Sequence, residues 1–196
     1  MINHYAYFDT LSLVSRLQKQ LGEVAQLEIH LFSYLACLLS LYKGRSVTEW
    51  GYQFAITKQQ TYPFSPDLDS AIRHLIYVGK LNITDQYVNL SDIGQKEYEF
   101  MNTLLQYSDR EQFLDGSCSS LLSLPVGIIR DALYQDPNIK GSLELSQSRR
   151  LLTETGLENL YEQFAALSST IGVEIEDLMV PATVWLTYLS QIQNSN

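Results

Sequence analysis

The run from Leu27 to Tyr42 is apolar on nearly every side of a helical wheel, broken only by Glu28, His30, Ser33 and Ser40. A helix of that kind has to be surrounded, so the rest of the chain must fold around it. Lys43 and Gly44 close it, a cation in the last turn followed by a glycine free to take the left-handed cap. The run is too short and too polar to cross a bilayer, which needs about 20 apolar residues.

Other segments supply the wrapping. Tyr7, Phe8, Leu11, Val14, Leu17 and Leu21 recur at spacings of three and four, which predicts an amphipathic helix over 7–21. The aromatic stretch from Thr48 to Phe54 fits an extended piece or a short helix. Thr61 to Asp67 reads as a turn, with Ser65 as N-cap and Pro66 at the first helical position. A helix with Leu68, Ile72, Leu75, Ile76 and Val78 inward then runs to Gly79. Leu81–Ile83 and Tyr87–Leu90 alternate around Thr84, Asp85 and Gln86, a hairpin signal. Ser91 caps a following helix with Ile93, Tyr98 and Met101 facing inward. Helix, turn, helix, hairpin, helix is the order of a winged helix.

The remainder reads as wholly helical. Pro125 opens a stripe of Val126, Ile129, Ala132 and Leu133, which Asp136 and Pro137 end. Thr155 and Glu158 form a capping box for a stripe of Leu157, Leu160, Phe164, Leu167 and Ile171. Pro181 opens a last helix with Trp185, Tyr188, Leu189 and Ile192. The expected fold is therefore mainly α with a small β-hairpin. A winged-helix-like module at 47–101 is flanked by helical parts at 1–46 and 102–196, all in one compact unit.

Composition narrows the function classes. Hydrophobic residues are 45% of the 196 and charged residues 18%, which excludes intrinsic disorder. The net charge is −9, and it grows along the chain, from +1 over 1–46 to −3 over 47–101 and −7 over 102–196. A general polyphosphate-binding surface needs the opposite sign. Two cysteines, Cys37 and Cys118, make no disulfide framework, and residues 1–10 show no secretory pattern, so a cytoplasmic protein away from the membrane is expected.

Motifs for chemistry are missing. His4, His30 and His74 have no partner at metal-ligand spacing, and His30 reads as a core residue. There is no GxSxG, no GxxxxGK[ST] and no GxGxxG. Ser117, Ser119, Ser120 and Ser123 around Cys118 read as a loop and helix cap, and Glu174, Glu176 and Asp177 as acids ahead of a helix start. Neither catalysis nor a cofactor is expected. The helix at Asp67–Val78 would be the recognition helix of a winged helix, yet Asp67, Asp69 and Arg73 leave it at −1, where groove reading wants Arg, Lys, Asn or Gln. Arg149 and Arg150 are the only basic doublet and read as surface ion-pairing residues.

Trp50, Gly51 and Tyr52, then Pro63 to Leu68, Ala71 to Ile76 and Gly79, are similar to two groups of small prokaryotic proteins. One is the middle, accessory component of ABC-type three-component systems, which includes the small subunit of Lamassu-type anti-phage complexes. The other is the SocA/Panacea antitoxin domain. The resemblance covers about a third of the chain. The stretch after Ser117, with Leu124, Pro125, Val126 and Ile129, is more similar to the three-component subunits. It implies a non-catalytic subunit that binds an SMC-like or Rad50-like ATPase and an effector nuclease, with DNA contacted only through the complex. The alternative is a winged-helix DNA-binding regulator or antitoxin. The partner-binding residues singled out are Trp50, Tyr52 and Phe64 around the turn, with Phe164 and Trp185 on partner-facing helices. For each the competing reading is the protein's own core.

Overall fold

A computed structural model describes residues 1–144, 148–172 and 176–194. The elements follow in chain order as α1 (His4–Leu21), β1 (Val24–Ala25), α2 (Gln26–Tyr42), a 3-10 turn (Val47–Trp50), β2 (Ala55–Ile56), α3 (Pro66–Tyr77), β3 (Leu81–Thr84) and β4 (Tyr87–Leu90). Then come α4 (Asp92–Asn102), α5 (Leu105–Ser119), a second 3-10 turn (Ser120–Leu122), α6 (Val126–Leu133), α7 (Pro137–Glu144), β5 (Arg149–Arg150), α8 (Glu154–Ile171) and α9 (Met179–Asn194). The protein is mainly helical with a small antiparallel sheet in the order β1-β4-β3 and a two-stranded pairing of β2 with β5.

The apolar run at 27–42 forms the expected central helix. Every residue of α2 from Ile29 to Leu41 is buried, and α5 is its main neighbour. The buried apolar residues make one cluster reaching from Ala6 to Leu189, so the three sequence segments share a core. Among the described residues no helix is long and apolar enough to cross a membrane.

α1 departs from the amphipathic reading. It starts at His4, because the Asn3 side chain accepts the Tyr5 and Ala6 amides. It is also buried on its polar side, where Asp9, Thr10, Ser12 and Ser15 are all out of water. Burying such groups is tolerable only with hydrogen-bond partners, and α4 and α5 supply most of them. Ser12 donates to Glu111 at 2.7 Å, Ser15 to Gln95 at 3.3 Å, and Thr10 to its own helix at Ala6.

The expected hairpin β3–β4 forms, with Leu81 opposite Leu90, while Thr84, read as a turn residue, ends β3 opposite Tyr87, and Asp85 takes positive φ at the turn. β1 adds to its β4 edge, pairing Val24 with Val88. The predicted inward positions Ile93 and Val78 are corrected. Ile93 is 61% exposed and Val78 lies past the end of α3, also exposed. The inner face of α4 is Gly94, Tyr98 and Met101, and α4 approaches so closely that a Cβ on Gly94 would lie 2.0 Å from the Lys80 carbonyl oxygen.

The second half is not wholly helical. Arg149 and Arg150 form a strand against Ile56 and Ala55. The serine cluster is no exposed loop: Ser117 and Ser120 are buried, each donating back to a carbonyl three residues earlier. Asp136 starts α7, accepting the Asn138 amide at 2.9 Å and the Tyr34 hydroxyl at 2.7 Å. The N-cap of α8 is Thr153, two residues before the expected Thr155, and the Thr155 side chain lies outside the described residues, as do Glu174 and the Ile192 side chain. The stripe Leu160, Phe164 and Leu167 faces the protein's own interior, while Tyr188 on α9 is half exposed.

Gly94→Ala adds a Cβ where backbone already stands, and overpacking of this kind outweighs the gain in helix propensity. Urea denaturation should show a net loss of about 2 kcal/mol.

Candidate functional site

Trp50 and Tyr52 stand where the chain leaves the first 3-10 turn. Ser46 caps that turn, and Gly51 ends it at φ +85°, a conformation suited to glycine. A Cβ there would meet the Tyr5 ring at 2.5 Å, and the Gly51 carbonyl accepts from Asn3 at 2.9 Å. The turn is thereby pressed against the start of α1. Both aromatic side chains are buried.

What they enclose is the protein's own cation. The Arg110 guanidinium lies 3.8 Å from the Trp50 ring centroid, 4.7 Å from that of Tyr5 and 5.3 Å from that of Tyr52. Its Nε and Nη2 donate to the two Asp9 carboxylate oxygens at 2.5 and 2.7 Å. The Tyr52 hydroxyl also donates to Asp9, and Ser33 meets Tyr52 at 2.5 Å. Burial pushes the Asp9 carboxyl up from its usual range, and the Arg110 charge and hydrogen bonds oppose that. For Arg110 burial pulls downward, but the Asp9 charge wins and leaves the guanidinium above its ordinary value. The Tyr52 hydroxyl is raised, chiefly by burial. This is an aromatic cage already occupied.

Phe64 is half-buried. Its backbone pairs with Ala55 at 2.8 and 2.9 Å, and its ring stacks on His30 at 5.1 Å. His30 is the expected core histidine: its Nδ1 accepts the Ser65 amide at 3.2 Å, and burial lowers its pKa to about 3. Phe164 and Trp185 are buried together between α8 and α9, 6.0 Å apart edge to face, with Tyr42 on the other side of Phe164. Four of the five singled-out residues are thus core, and of these Trp185 also lines a groove on α8 and α9. Their rings are covered by the protein's own side chains.

The nucleophiles are also withdrawn. Cys37 and Cys118 are buried, and burial pushes both thiols up, Cys118 to about 12. Among the described residues no group of three His, Cys, Asp or Glu side chains could hold a metal ion. An open cavity of about 720 Å³ between the first 3-10 turn and the start of α8 is lined by Tyr52, Phe54, Asp67, Arg150 and Glu154 among others.

Two surfaces remain, the first outside the residues singled out from sequence and the second containing Trp185. One is a corner where α3, the hairpin and α4 meet. The Ser91 hydroxyl donates to the Gly79 carbonyl at 2.8 Å, tying the end of α3 to the start of α4. There Tyr77 is 87% exposed, and Ile83 and Ile93 are exposed with it. The other is a groove of about 470 Å³ on α8 and α9, with Leu167 and Trp185 lining it beside Ala166, Thr170, Val184 and Tyr188. Tyr77 lies off the Leu68, Ile72, Leu75 stripe, which is the signal the sequence offers for it, and Ile93 lies away from the Gly94, Tyr98 and Met101 face of its helix. No family model, curated protein or solved structure matches this chain.

Two predictions follow the buried groups. Asp9→Asn leaves Arg110 buried without its counter-charge and should cost about 3–5 kcal/mol in denaturant unfolding. Replacing both residues by apolar ones, Asp9→Leu with Arg110→Met, should recover most of that loss. For His30, the unfolded chain takes up a proton below about pH 6.5 and the folded chain only near pH 3. Its contribution therefore falls as pH drops through that window. The stability advantage of the native protein over His30→Gln should shrink by about 2 kcal/mol between about pH 7 and pH 5.

Proposed function

We propose that this chain is a non-catalytic accessory subunit that docks on a protein partner, an SMC- or Rad50-like ATPase complex of DNA surveillance or anti-phage defence. The observation that carries the docking reading is the exposed apolar corner of Tyr77, Ile83 and Ile93. Large apolar side chains left in water on three elements that pack together favour a protein interface. The identity of the partner class rests on the resemblance of residues 50–79 to the three-component subunits.

A winged-helix arrangement is part of this reading. It is supported by the order α1, β1, α2, α3 and the hairpin, with β1 on the β4 edge of the sheet. On that reading the module begins at α1 rather than at residue 47. α3 then occupies the recognition position, but Arg73 is paired with Asp69 at 3.0 Å, and Asp67 and Asp69 sit in its first turn. Such a face favours protein over a phosphate backbone. The buried thiols and the neutral His30 support a role without catalysis.

Tagged protein co-expressed with the products of its neighbouring genes should bring down a coiled-coil ATPase. Tyr77→Asp with Ile93→Asp should lower that recovery about tenfold without lowering the thermal midpoint, a loss of about 1.4 kcal/mol in binding. A protein that purifies alone and binds duplex DNA with a steep salt dependence would replace this reading with the regulator or antitoxin.

A further inference from the structure

Charge at the end of the fold is one-sided. Residues 151–196 contain no lysine or arginine, while carrying Glu154, Glu158, Glu162, Glu174, Glu176 and Asp177. On α8, Glu154, Glu158 and Glu162 recur every four residues and are all exposed. Like charges one turn apart weaken a helix unless something answers them. α9 has no charged residue at all between Met179 and Asn194.

Beside this acidic line runs the α8–α9 groove, with Glu162 on its rim. Its floor is held in place, since the Trp185 indole N–H donates to Gln163 at 2.9 Å and its ring packs on Phe164. Its outer wall is apolar and open to water: Tyr188 is 50% exposed and Val184 36%.

We propose that this groove docks an amphipathic helix with a cationic flank, supplied by a partner protein. A trough between two helices takes the apolar side chains of a third at i, i+3 and i+4 spacing. The charge selects the flank, because Lys or Arg beside that apolar face would lie against Glu158 and Glu162. A second copy of this chain would bring the same glutamates together, and an anionic lipid surface would be repelled. The proposal uses a surface separate from the Tyr77 corner and rests on the docking-subunit reading only in supposing a protein partner.

The test uses the full chain and three labelled synthetic peptides of about 18 residues, about five helical turns. The first places leucines on one helical face and lysines elsewhere, the second replaces lysine by glutamate, and the third scrambles the first. Fluorescence anisotropy at physiological salt should give micromolar binding of the first peptide and at least about tenfold weaker binding of the other two. Glu158→Lys with Glu162→Lys should weaken the first peptide by about tenfold or more. Ala166→Gln, at an exposed helical position, fills the groove without removing a packed side chain and should do the same. Tyr77→Asp should leave peptide binding unchanged. Equal binding of the scrambled peptide, indifference to Ala166→Gln, or a stable dimer in sedimentation that the glutamate reversals dissolve would each overturn the proposal. Failure of the lysine peptide to bind also overturns it while leaving the corner reading to be judged by co-purification.

Discussion

Arg110 carries a full positive charge into a place almost closed to water, and four separate segments are arranged around that fact. α1 brings Asp9 and Tyr5, α2 brings Ser33, the first 3-10 turn brings Trp50 and Tyr52, and α5 brings the guanidinium itself. A bidentate pair tolerates little sliding, so it helps to fix the register of α5 against α1. The same contact explains why Gly51 must lie flat on Tyr5: a bulkier turn would lift Trp50 off the cation. Apolar packing alone would leave these helices several near-equivalent arrangements, whereas a buried charge accepts one.

The polar side of α1 extends that control outward. Glu111 receives Ser12, Arg16 and the Tyr98 hydroxyl, and Asp115 pairs with Arg16, so α4 and α5 are held at one face of α1. Lys80 bridges Tyr7 and Glu97 near the hairpin. With α4 fixed by Gly94 against Lys80, Ile93 is left mostly facing solvent. The exposed corner is thus a geometric result of how tightly the inner face was closed.

Much of the fold was legible because it is local. The all-round apolar run at 27–42, the Pro66 start of α3, the hairpin and the Ser91 cap each depend on a few neighbouring residues, whereas the Ser65 hydroxyl makes no cap bond. What stayed hidden depends on residues far apart. Asp9 and Arg110 are 101 positions from each other, and nothing near either one announces a pair. The polar residues of α1 look like a solvated face until α4 and α5 cover them. The short pairing of β2 with Arg149 and Arg150 likewise comes from strands too brief to show alternation. The aromatic residues singled out for partners, Trp50, Tyr52, Phe164 and Trp185, have the composition of an interface, and large rings serve a core equally well. Of the five, Phe64 alone is half-buried rather than buried.

The absence of cations beyond Arg150 shapes how neighbours of this protein can be mapped. The last lysine is Lys140, so amine-reactive cross-linkers find no side-chain target on α8 or α9, and trypsin has no site from 151 to 196. A partner seated on those helices could be reached by a lysine-directed cross-linker only from lysines of other elements, such as Lys43 beside Tyr42. Carboxyl-directed coupling at Glu158 and Glu162 would register it, because on this part of the surface the reactive handles are acids.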